Sequence, residues 1–160
     1  VIQYCNNIIS NRSYLYKAWF YRGIAKQSLG DYTGAEDDFN QAIKLNPYVH
    51  ELLRERANNR MNLRLFSQAD QDYGKAIELS PDNKEYWFNR ALARFYQHNI
   101  KQTRQDLYYI LKRWSSLPNA YALMTETYLS ANDSLQARKW VEKTLKINPY
   151  GAVIKIILSQ

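Results

Sequence analysis

The chain has 160 residues, of which 46% are hydrophobic and 23% are charged, and its formal net charge is +7. Its longest apolar run is far shorter than the roughly 18 residues that a membrane-spanning helix requires, so we expect no span. The single cysteine, Cys5, excludes an internal disulfide and is expected to pack as a small hydrophobe. The composition leaves the compartment open, with the cytoplasm favoured.

The sequence repeats itself every 34 residues. Large residues mark one position of the period (Trp19, Leu53, Trp87 and Tyr121), and prolines mark another (Pro47, Pro81 and Pro149). Small residues recur at two positions: Gly23, Ala57, Ala91 and Thr125, then Ala35, Ala69, Thr103 and Ala137. The second set is followed by large residues, which are Phe39, Tyr73, Leu107 and Val141. A period of this length indicates stacked supersecondary units.

The period divides the whole chain. Residues 1–15 align with the second helix of a partial repeat and a connector, because Cys5 falls one period before Phe39. Four full repeats follow at 16–49, 50–83, 84–117 and 118–151, and residues 152–160 begin a further helix. Because neither end carries the polar face of a terminal repeat, we expect a fragment of a larger repeat protein.

Each full repeat predicts two helices. In repeat 1 these are 18–29 and 32–45, separated by Gly30-Asp31 and ended by Asn46-Pro47. No strand-type alternation competes with this pattern. A single helix pair cannot bury its apolar face, so neighbouring pairs must stack. We therefore predict an all-α fold in one array over 1–160, a right-handed superhelical solenoid of antiparallel helix pairs with a concave groove lined by the first helices.

The residues of repeats 1 and 2 resemble the tetratricopeptide repeat (TPR) family. Repeat 1 carries Trp19, Gly23, Gly30-Asp31-Tyr32, Ala35, Phe39, Ala42 and Pro47, and repeat 2 carries Leu53, Ala57, Phe66, Ala69, Tyr73, Ala76 and Pro81. Repeats 3 and 4 depart from the pattern at Thr103, Ile110, Ser115, Thr125 and Thr144, so we expect less regular helix contacts there. The resemblance implies a non-catalytic scaffold that binds a peptide or protein partner in its concave groove. The alternative is a recognition or regulatory arm of a larger enzyme or signalling protein.

The family pattern also implies which residues line the groove. These are Phe20, Ile24, Gln27, Arg54, Asn58, Met61, Asn62, Phe88, Asn89, Leu92, Phe95, Tyr96 and Glu126, with Tyr21 also in repeat 1 and Leu123 and Leu129 also in repeat 4. Aromatic anchors mixed with amide and guanidinium groups suit an extended or helical peptide. For Phe20, Phe88 and Phe95, packing between helices is an equally good interpretation.

A sharper hypothesis is the carboxylate clamp with which TPR co-chaperones hold the acidic tails of heat-shock chaperones. Arg54, Asn58 and Asn89 match three of its positions. Asn119 and Leu123 occupy the two remaining positions, where the family has cations. Since those cations hold much of the carboxylate charge, we favour the general peptide groove over the clamp.

Arginine and aspartate recur together with a fixed spacing. Arg22, Arg56 and Arg90 share one repeat position, and Asp38, Asp72 and Asp106 lie 16 residues after them. In repeat 4 both are replaced, by Met124 and Trp140. Loss of both together predicts a direct pair, and the planar guanidinium suits a partly buried bidentate contact. We expect this pair to specify packing and not to form a site.

The remaining chemistry is sparse. His50 and His98 are isolated and expected to be solvated, and no motif for a metal, a cofactor or a nucleophile occurs. The segment 101–160 holds 9 basic and 4 acidic residues, which makes an acidic partner plausible. Tyr108, Tyr109 and Trp114 nearby allow the weaker alternative of nucleic-acid binding. Self-association through the apolar segment 152–158 and the unpaired first helix is a third alternative.

Overall fold

The computed structural model describes residues 1–148, and all regular structure in that range is α-helical. The helices are α1 (Ile2–Asn11), α2 (Tyr16–Ser28), α3 (Tyr32–Leu45), α4 (His50–Asn62), α5 (Phe66–Leu79), α6 (Lys84–Tyr96), α7 (Ile100–Arg113), α8 (Pro118–Leu129) and α9 (Ser134–Ile147). The starts of α2, α4, α6 and α8 are 34 residues apart, as are those of α3, α5, α7 and α9. The all-α prediction is confirmed, while the helix expected within 152–160 lies outside the described residues.

The chain divides into two units, residues 1–86 (unit 1) and residues 87–160 (unit 2), and the structure describes unit 2 up to residue 148. In unit 1, α2 packs against α3 and α4 packs against α5, while α1 contacts α2 and α3 contacts α4. In unit 2, α8 packs against α9 and also contacts α7. Cys5 is buried in α1, as its aligned position predicts.

The turns between the two helices of a repeat share one backbone conformation. Gly30, Arg64, His98 and Asn132 occupy the same repeat position and all have positive φ, between 56° and 83°. This left-handed conformation ends the first helix, and it favours glycine because a Cβ is strained there. The second helix then begins at an Asx cap in repeats 1, 3 and 4, where Asp31, Asn99 and Asp133 accept a backbone hydrogen bond. His98 is exposed in this turn, as expected.

The small and large positions compensate one another in size. The pairs are Gly23 with Phe39, Ala57 with Tyr73, Ala91 with Leu107, and Thr125 with Val141. All eight residues are buried. A Cβ placed on Gly23 would lie 2.8 Å from Phe39 Cε1, closer than van der Waals contact allows. In repeats 1, 3 and 4 a larger residue at one position therefore goes with a smaller residue at the other, whereas repeat 2 combines Ala57 with the still larger Tyr73.

The predicted Arg–Asp pairs are present within each of the first three repeats. Arg22, Arg56 and Arg90 each contact both oxygens of Asp38, Asp72 and Asp106, respectively, at 2.6–3.0 Å. A second cation, one helical turn later, contacts the same carboxylates at 2.7–2.9 Å, and it is Lys26, Arg60 or Arg94. The aspartates are almost fully buried, so two cations offset the cost of removing each carboxylate from water.

Repeat 4 replaces this whole network with other groups. Met124, Tyr128 and Trp140 stand where the arginine, the second cation and the aspartate stand elsewhere. The Arg104 guanidinium lies 3.7 Å from the Tyr128 ring centroid and donates to the hydroxyl and the carbonyl oxygen of Thr127. Helix contacts are kept in this repeat by apolar and cation–π interactions.

The threonines that depart from the family pattern are accommodated within their own helices. The hydroxyls of Thr103, Thr125 and Thr144 each donate to the carbonyl oxygen four residues earlier, at 2.8–3.1 Å. All three side chains are buried. Their hydroxyls are thus satisfied without a partner from a neighbouring helix, which lets threonine replace alanine at a close contact.

Candidate functional site

The predicted groove residues divide between the two units. The unit 1 groove face comprises Phe20, Ile24, Gln27, Arg54, Asn58, Met61 and Asn62 on α2 and α4. The unit 2 groove face comprises Phe88, Asn89, Leu92, Phe95, Tyr96 and Glu126 on α6 and α8. Asn62 and Tyr96 are exposed, and the other eleven side chains are half-buried. None of the thirteen is fully enclosed by the protein.

On α2, Phe20 combines packing with exposure. Its ring centroid lies 6.2 Å from that of Phe39 and 5.4 Å from that of Tyr21. Ile24 and Gln27 follow on the same helix and are half-buried. Phe20 therefore packs against the second helix of its repeat and keeps part of its ring open to solvent, so it matches both interpretations of its role.

Arg54 and Asn58 on α4 belong to one hydrogen-bonded network. Arg54 Nη2 lies 2.7 Å from Glu55 Oε1, and Asn58 Nδ2 donates to Glu55 Oε2 at 3.2 Å. The Tyr73 hydroxyl donates to Asn58 Oδ1 at 2.6 Å. Burial raises the pKa of Tyr73, which keeps its hydroxyl protonated as a donor. Glu55 therefore already pairs with the Arg54 guanidinium, which is the positive charge that the carboxylate-clamp hypothesis assigns to the ligand.

Glu55 and Tyr73 were not predicted from the sequence as partners of the groove residues. Tyr73 aligns with Phe39 of repeat 1, so its hydroxyl is an added polar group at a buried position. A buried tyrosine hydroxyl usually requires a hydrogen-bond partner, and this is the signal that predicts a nearby polar side chain. Glu55 has no comparable signal, because a glutamate on a helix is most often solvated.

His50, at the start of α4, has a different environment from the one expected. Its Nδ1 lies 2.8 Å from the Tyr86 hydroxyl and 3.4 Å from Glu51 Oε2. Tyr86 is buried, and that burial raises its pKa. The expectation of a solvated histidine was wrong because the first turn of α6 places a buried hydroxyl against the ring.

Three apolar residues of the unit 2 groove face pack onto its core. Phe88, Leu92 and Phe95 contact a cluster of buried residues that consists of Ala91, Leu107, Ile110, Ala120, Leu123, Met124 and Trp140. Leu123, expected in the groove, is only 4% exposed and belongs to this core instead. Tyr96 is 49% exposed, and its ring centroid lies 6.0 Å from that of Phe95. The face therefore offers apolar side chains with fixed positions and one prominent tyrosine.

Glu126 is the acidic residue of the unit 2 groove face. Burial raises the pKa of its carboxyl group, and no charged neighbour contributes to the shift. Within residues 1–148 its side chain makes no ion pair. Its repeat equivalents are Ile24, Asn58 and Leu92, so a carboxylate stands here where the other repeats have neutral side chains.

Residues 1–148 contain no group of three or more His, Cys, Asp or Glu side chains that could hold a metal ion. Over the same residues, the helices are too short or too polar to cross a bilayer.

Comparisons with known proteins identify the repeat and the fold. The tetratricopeptide repeat family model matches residues 16–48. YrrB, a TPR protein with an unusual peptide-binding site, is 14% identical; the match covers 99% of this chain and 82% of YrrB, with a TM-score of 0.91. MamA from Desulfovibrio magneticus RS-1 is 13% identical over 94% of this chain and 85% of its own, with a TM-score of 0.86.

A third similar structure contains a bound peptide. It is the first TPR of Spaghetti (RPAP3) bound to the HSP90 peptide SRMEEVD, 20% identical over 73% of this chain and 93% of its own, with a TM-score of 0.67. No curated protein matches the chain. At these identities the similar structures establish the all-α TPR solenoid fold.

Proposed function

We propose that the chain is a non-catalytic scaffold that binds a peptide or protein segment on its groove faces, because its first repeat matches the tetratricopeptide repeat family model and it has the TPR solenoid fold. TPR arrays are protein-interaction modules, and YrrB and the RPAP3 repeat are similar structures described with a peptide-binding site or a bound peptide. The fold does not determine which ligand is bound, so the proposal depends on the side chains of this chain.

One observation carries the proposal. All thirteen residues of the two groove faces remain open to solvent, and six of them are apolar: Phe20, Ile24, Met61, Phe88, Leu92 and Phe95. By contrast, the large residues of the second helices at Phe39, Tyr73, Leu107 and Val141 are fully buried. Apolar side chains that are held in place but not covered gain further burial when a ligand docks on them.

The polar residues of the groove faces suit the backbone of a peptide. Asn62 and Asn89 carry amides that both donate and accept hydrogen bonds, and Gln27 adds a third on α2. Arg54 and Asn58 are held by Glu55 and Tyr73, so their positions are set before a ligand arrives. Side chains that are ordered in advance lower the entropy cost of binding.

The proposal can be tested with peptides selected on the protein. A random peptide library displayed on phage is selected against the immobilised full chain, and the dissociation constants of synthetic selected peptides are measured by fluorescence anisotropy. One groove variant carries Gln27→Ala and Asn62→Ala in unit 1, and the other carries Asn89→Ala and Tyr96→Ala in unit 2. The control carries Gln41→Ala, Gln71→Ala and Gln105→Ala, which are exposed on second helices.

We expect at least one groove variant to weaken binding about tenfold, because each lost hydrogen bond contributes about 0.5–1.5 kcal/mol. The control should bind within about twofold of the unaltered chain, since its substitutions change only exposed amides. Circular dichroism confirms that all variants fold. Equal losses in the control and the groove variants, or no loss in either groove variant, would refute the groove assignment.

A further inference from the structure

A second surface, outside both groove faces, lies on α9. Lys139, Lys143 and Lys146 are spaced by four and three residues, so they project from one side of the helix. All three are exposed, and the Lys143 ammonium lies 4.0 Å from the centroid of the Trp140 ring. We call these three lysines together with Trp140 the α9 lysine face.

Two adjoining clefts open on this face. A cleft of about 410 Å³ is lined by the α9 lysine face together with Tyr108, Gln136 and Glu142. A second cleft, of about 310 Å³, shares Trp140, Lys143 and Lys146 and adds the apolar side chains of Leu111, Tyr121 and Ile147. The surface therefore combines ammonium groups with a concave apolar floor.

The three lysines of this face form no ion pair within residues 1–148. Residues 149–160 include neither aspartate nor glutamate. Glu142 is the one carboxylate that lines the first cleft. Unit 2 as a whole holds 11 basic and 4 acidic residues, so its charges reinforce the local positive potential.

The cleft lined by Tyr108 and Trp140 exists because repeat 4 differs in sequence from the other repeats. Trp140 occupies the position of the buried aspartates, and Tyr108 occupies the position of Asn6 and Asn40, which accept hydrogen bonds from Arg22 and Arg56. The Tyr108 and Trp140 rings meet edge to face with centroids 6.0 Å apart. An internal ion-pair network is thus replaced by the buried Trp140 and the exposed Tyr108, with lysines around them.

We propose that the α9 lysine face binds an acidic peptide segment that carries one large apolar residue. The carboxylates of the segment pair with Lys139, Lys143 and Lys146, and the apolar side chain enters the cleft lined by Leu111, Tyr121 and Trp140. This interaction is additional to the groove, because it uses the second helix of a repeat and none of the groove-face residues.

The geometry favours a peptide over a nucleic acid. Single-stranded nucleic acids bind largely by stacking bases on open aromatic faces. Trp140, at the centre of the lysines, is only 8% exposed, and Lys143 covers its ring. The Tyr108 hydroxyl is hydrogen-bonded to that of Tyr128 at 3.0 Å, which fixes its ring at an edge-on angle to Trp140. An aliphatic side chain can use the apolar floor where a base cannot stack.

The test uses a fluorescein-labelled peptide of eight glutamates with one central leucine, and its binding to the full chain is followed by fluorescence anisotropy. The site variant carries Lys139→Gln, Lys143→Gln and Lys146→Gln. The matched control carries Lys17→Gln, Lys75→Gln and Lys84→Gln, which removes the same charge from three exposed lysines of unit 1. Circular dichroism checks the fold of both.

We expect the site variant to bind at least about tenfold more weakly at about 0.15 M salt and the control to change by less than about twofold, since charges more than about 8 Å away are then largely screened. Replacing the central leucine of the probe with glycine should weaken its binding to the unaltered chain. This test changes only the probe, so it does not depend on the folding of a protein variant. If the groove variants described above bind the acidic probe as tightly as the unaltered chain does, the two surfaces are separate.

Three outcomes would overturn the proposal. Equal losses in the site variant and the control would mean that only net charge attracts the probe. No dependence on the central leucine would remove the apolar cleft from the interaction. Tighter binding of a twelve-nucleotide polyuridylate, with the same loss in the site variant, would assign the face to nucleic acid.

Discussion

Units 1 and 2 follow the same 34-residue pattern but differ in charge and in how their helices are joined. Unit 1 holds 11 basic and 11 acidic residues, whereas unit 2 holds 11 basic and 4 acidic residues, so the whole net charge of +7 lies in unit 2. In unit 1, Arg22 and Arg56 connect an aspartate of their own repeat to an asparagine of the preceding second helix. In repeat 4 of unit 2, aromatic residues replace this network.

The difference shows which features the fold requires. A small residue and a large residue recur at the two packing positions in all four repeats, even where polar residues change. The ion-pair network, by contrast, is replaced as a block by Met124, Tyr128 and Trp140. The packing of small against large residues is therefore the constant element, and the polar network is one of two ways to fill the remaining space. In the second way, Lys143 lies against the Trp140 ring and makes no ion pair within residues 1–148.

The largest expected effect is the loss of stability when the ion-pair network is broken in either unit. Asp72→Ala removes the shared partner of Arg56 and Arg60, whose side chains are 14% and 13% exposed. Removing the shared carboxylate from a buried ion-pair network should lower the free energy of unfolding by about 3–5 kcal/mol, even though Arg60 keeps its contact with Glu36. Asp106→Ala in unit 2 should have a similar effect, because Arg90 and Arg94 lose the same contacts.

Urea denaturation of each variant measures these losses, with Asp37→Ala as the control because Asp37 is exposed. A destabilised but folded Asp72→Ala protein should still bind the peptides selected on the groove, at a temperature well below its melting point. An unchanged midpoint of unfolding would contradict the importance of the pair.

The second prediction concerns the size compensation that both units share. Gly23→Ala places a methyl group against Phe39, and overpacking of this kind costs about 1–3 kcal/mol. Phe39→Leu makes the site resemble the pair Ala91 and Leu107 of unit 2. The double variant should therefore be more stable than the sum of the two single changes predicts, which a double-mutant cycle measures by thermal unfolding. Additive effects would show that the two positions are not coupled.

The third prediction compares the turns of the two units. Gly30 in unit 1 and His98 in unit 2 share a left-handed conformation, with φ of 83° and 59°. Gly30→Ala should destabilise the protein by about 1 kcal/mol, and His98→Gly should stabilise it by up to about 1 kcal/mol, because only glycine is unstrained there. Both changes are measured by chemical denaturation. A loss of stability in His98→Gly would mean that the imidazole makes a compensating contact.

The period made the fold and the Arg–Asp pairs predictable from the sequence, because residues that recur together at a fixed spacing must share one environment. The second cation at Lys26, Arg60 and Arg94 could have been predicted in the same way, since it recurs four residues after each arginine and is lost with it. The network of Glu55, Asn58 and Tyr73 could not, because it occurs in one repeat and depends on side-chain conformations. His50 and Tyr86 are 36 positions apart in the sequence, and their contact does not recur at the equivalent positions of other repeats. The repeat pattern therefore could not predict it.

The smallest expected effect concerns the position that holds Asn58 in unit 1 and Glu126 in unit 2. Burial raises the pKa of Glu126 above the value of about 4.3 that it has in an unfolded chain, so the native state binds its proton more tightly than the unfolded state does. Its contribution to stability is therefore most favourable below that value and declines as the pH rises through the folded pKa. Glu126→Gln removes this decline.

The variant should match the unaltered chain near pH 4 and exceed it at pH 7 by less than about 1 kcal/mol, because the half-exposed carboxylate keeps part of its hydration. Urea denaturation at both pH values measures the difference, and Glu142→Gln, at an exposed position, is the control. A lower stability of Glu126→Gln at pH 7 would mean that the carboxylate has a stabilising contact in the folded protein. An uncompensated carboxylate on the groove face would instead be free to pair with a cationic group of the ligand, and peptides selected on the groove should then lose lysine or arginine preference in this variant.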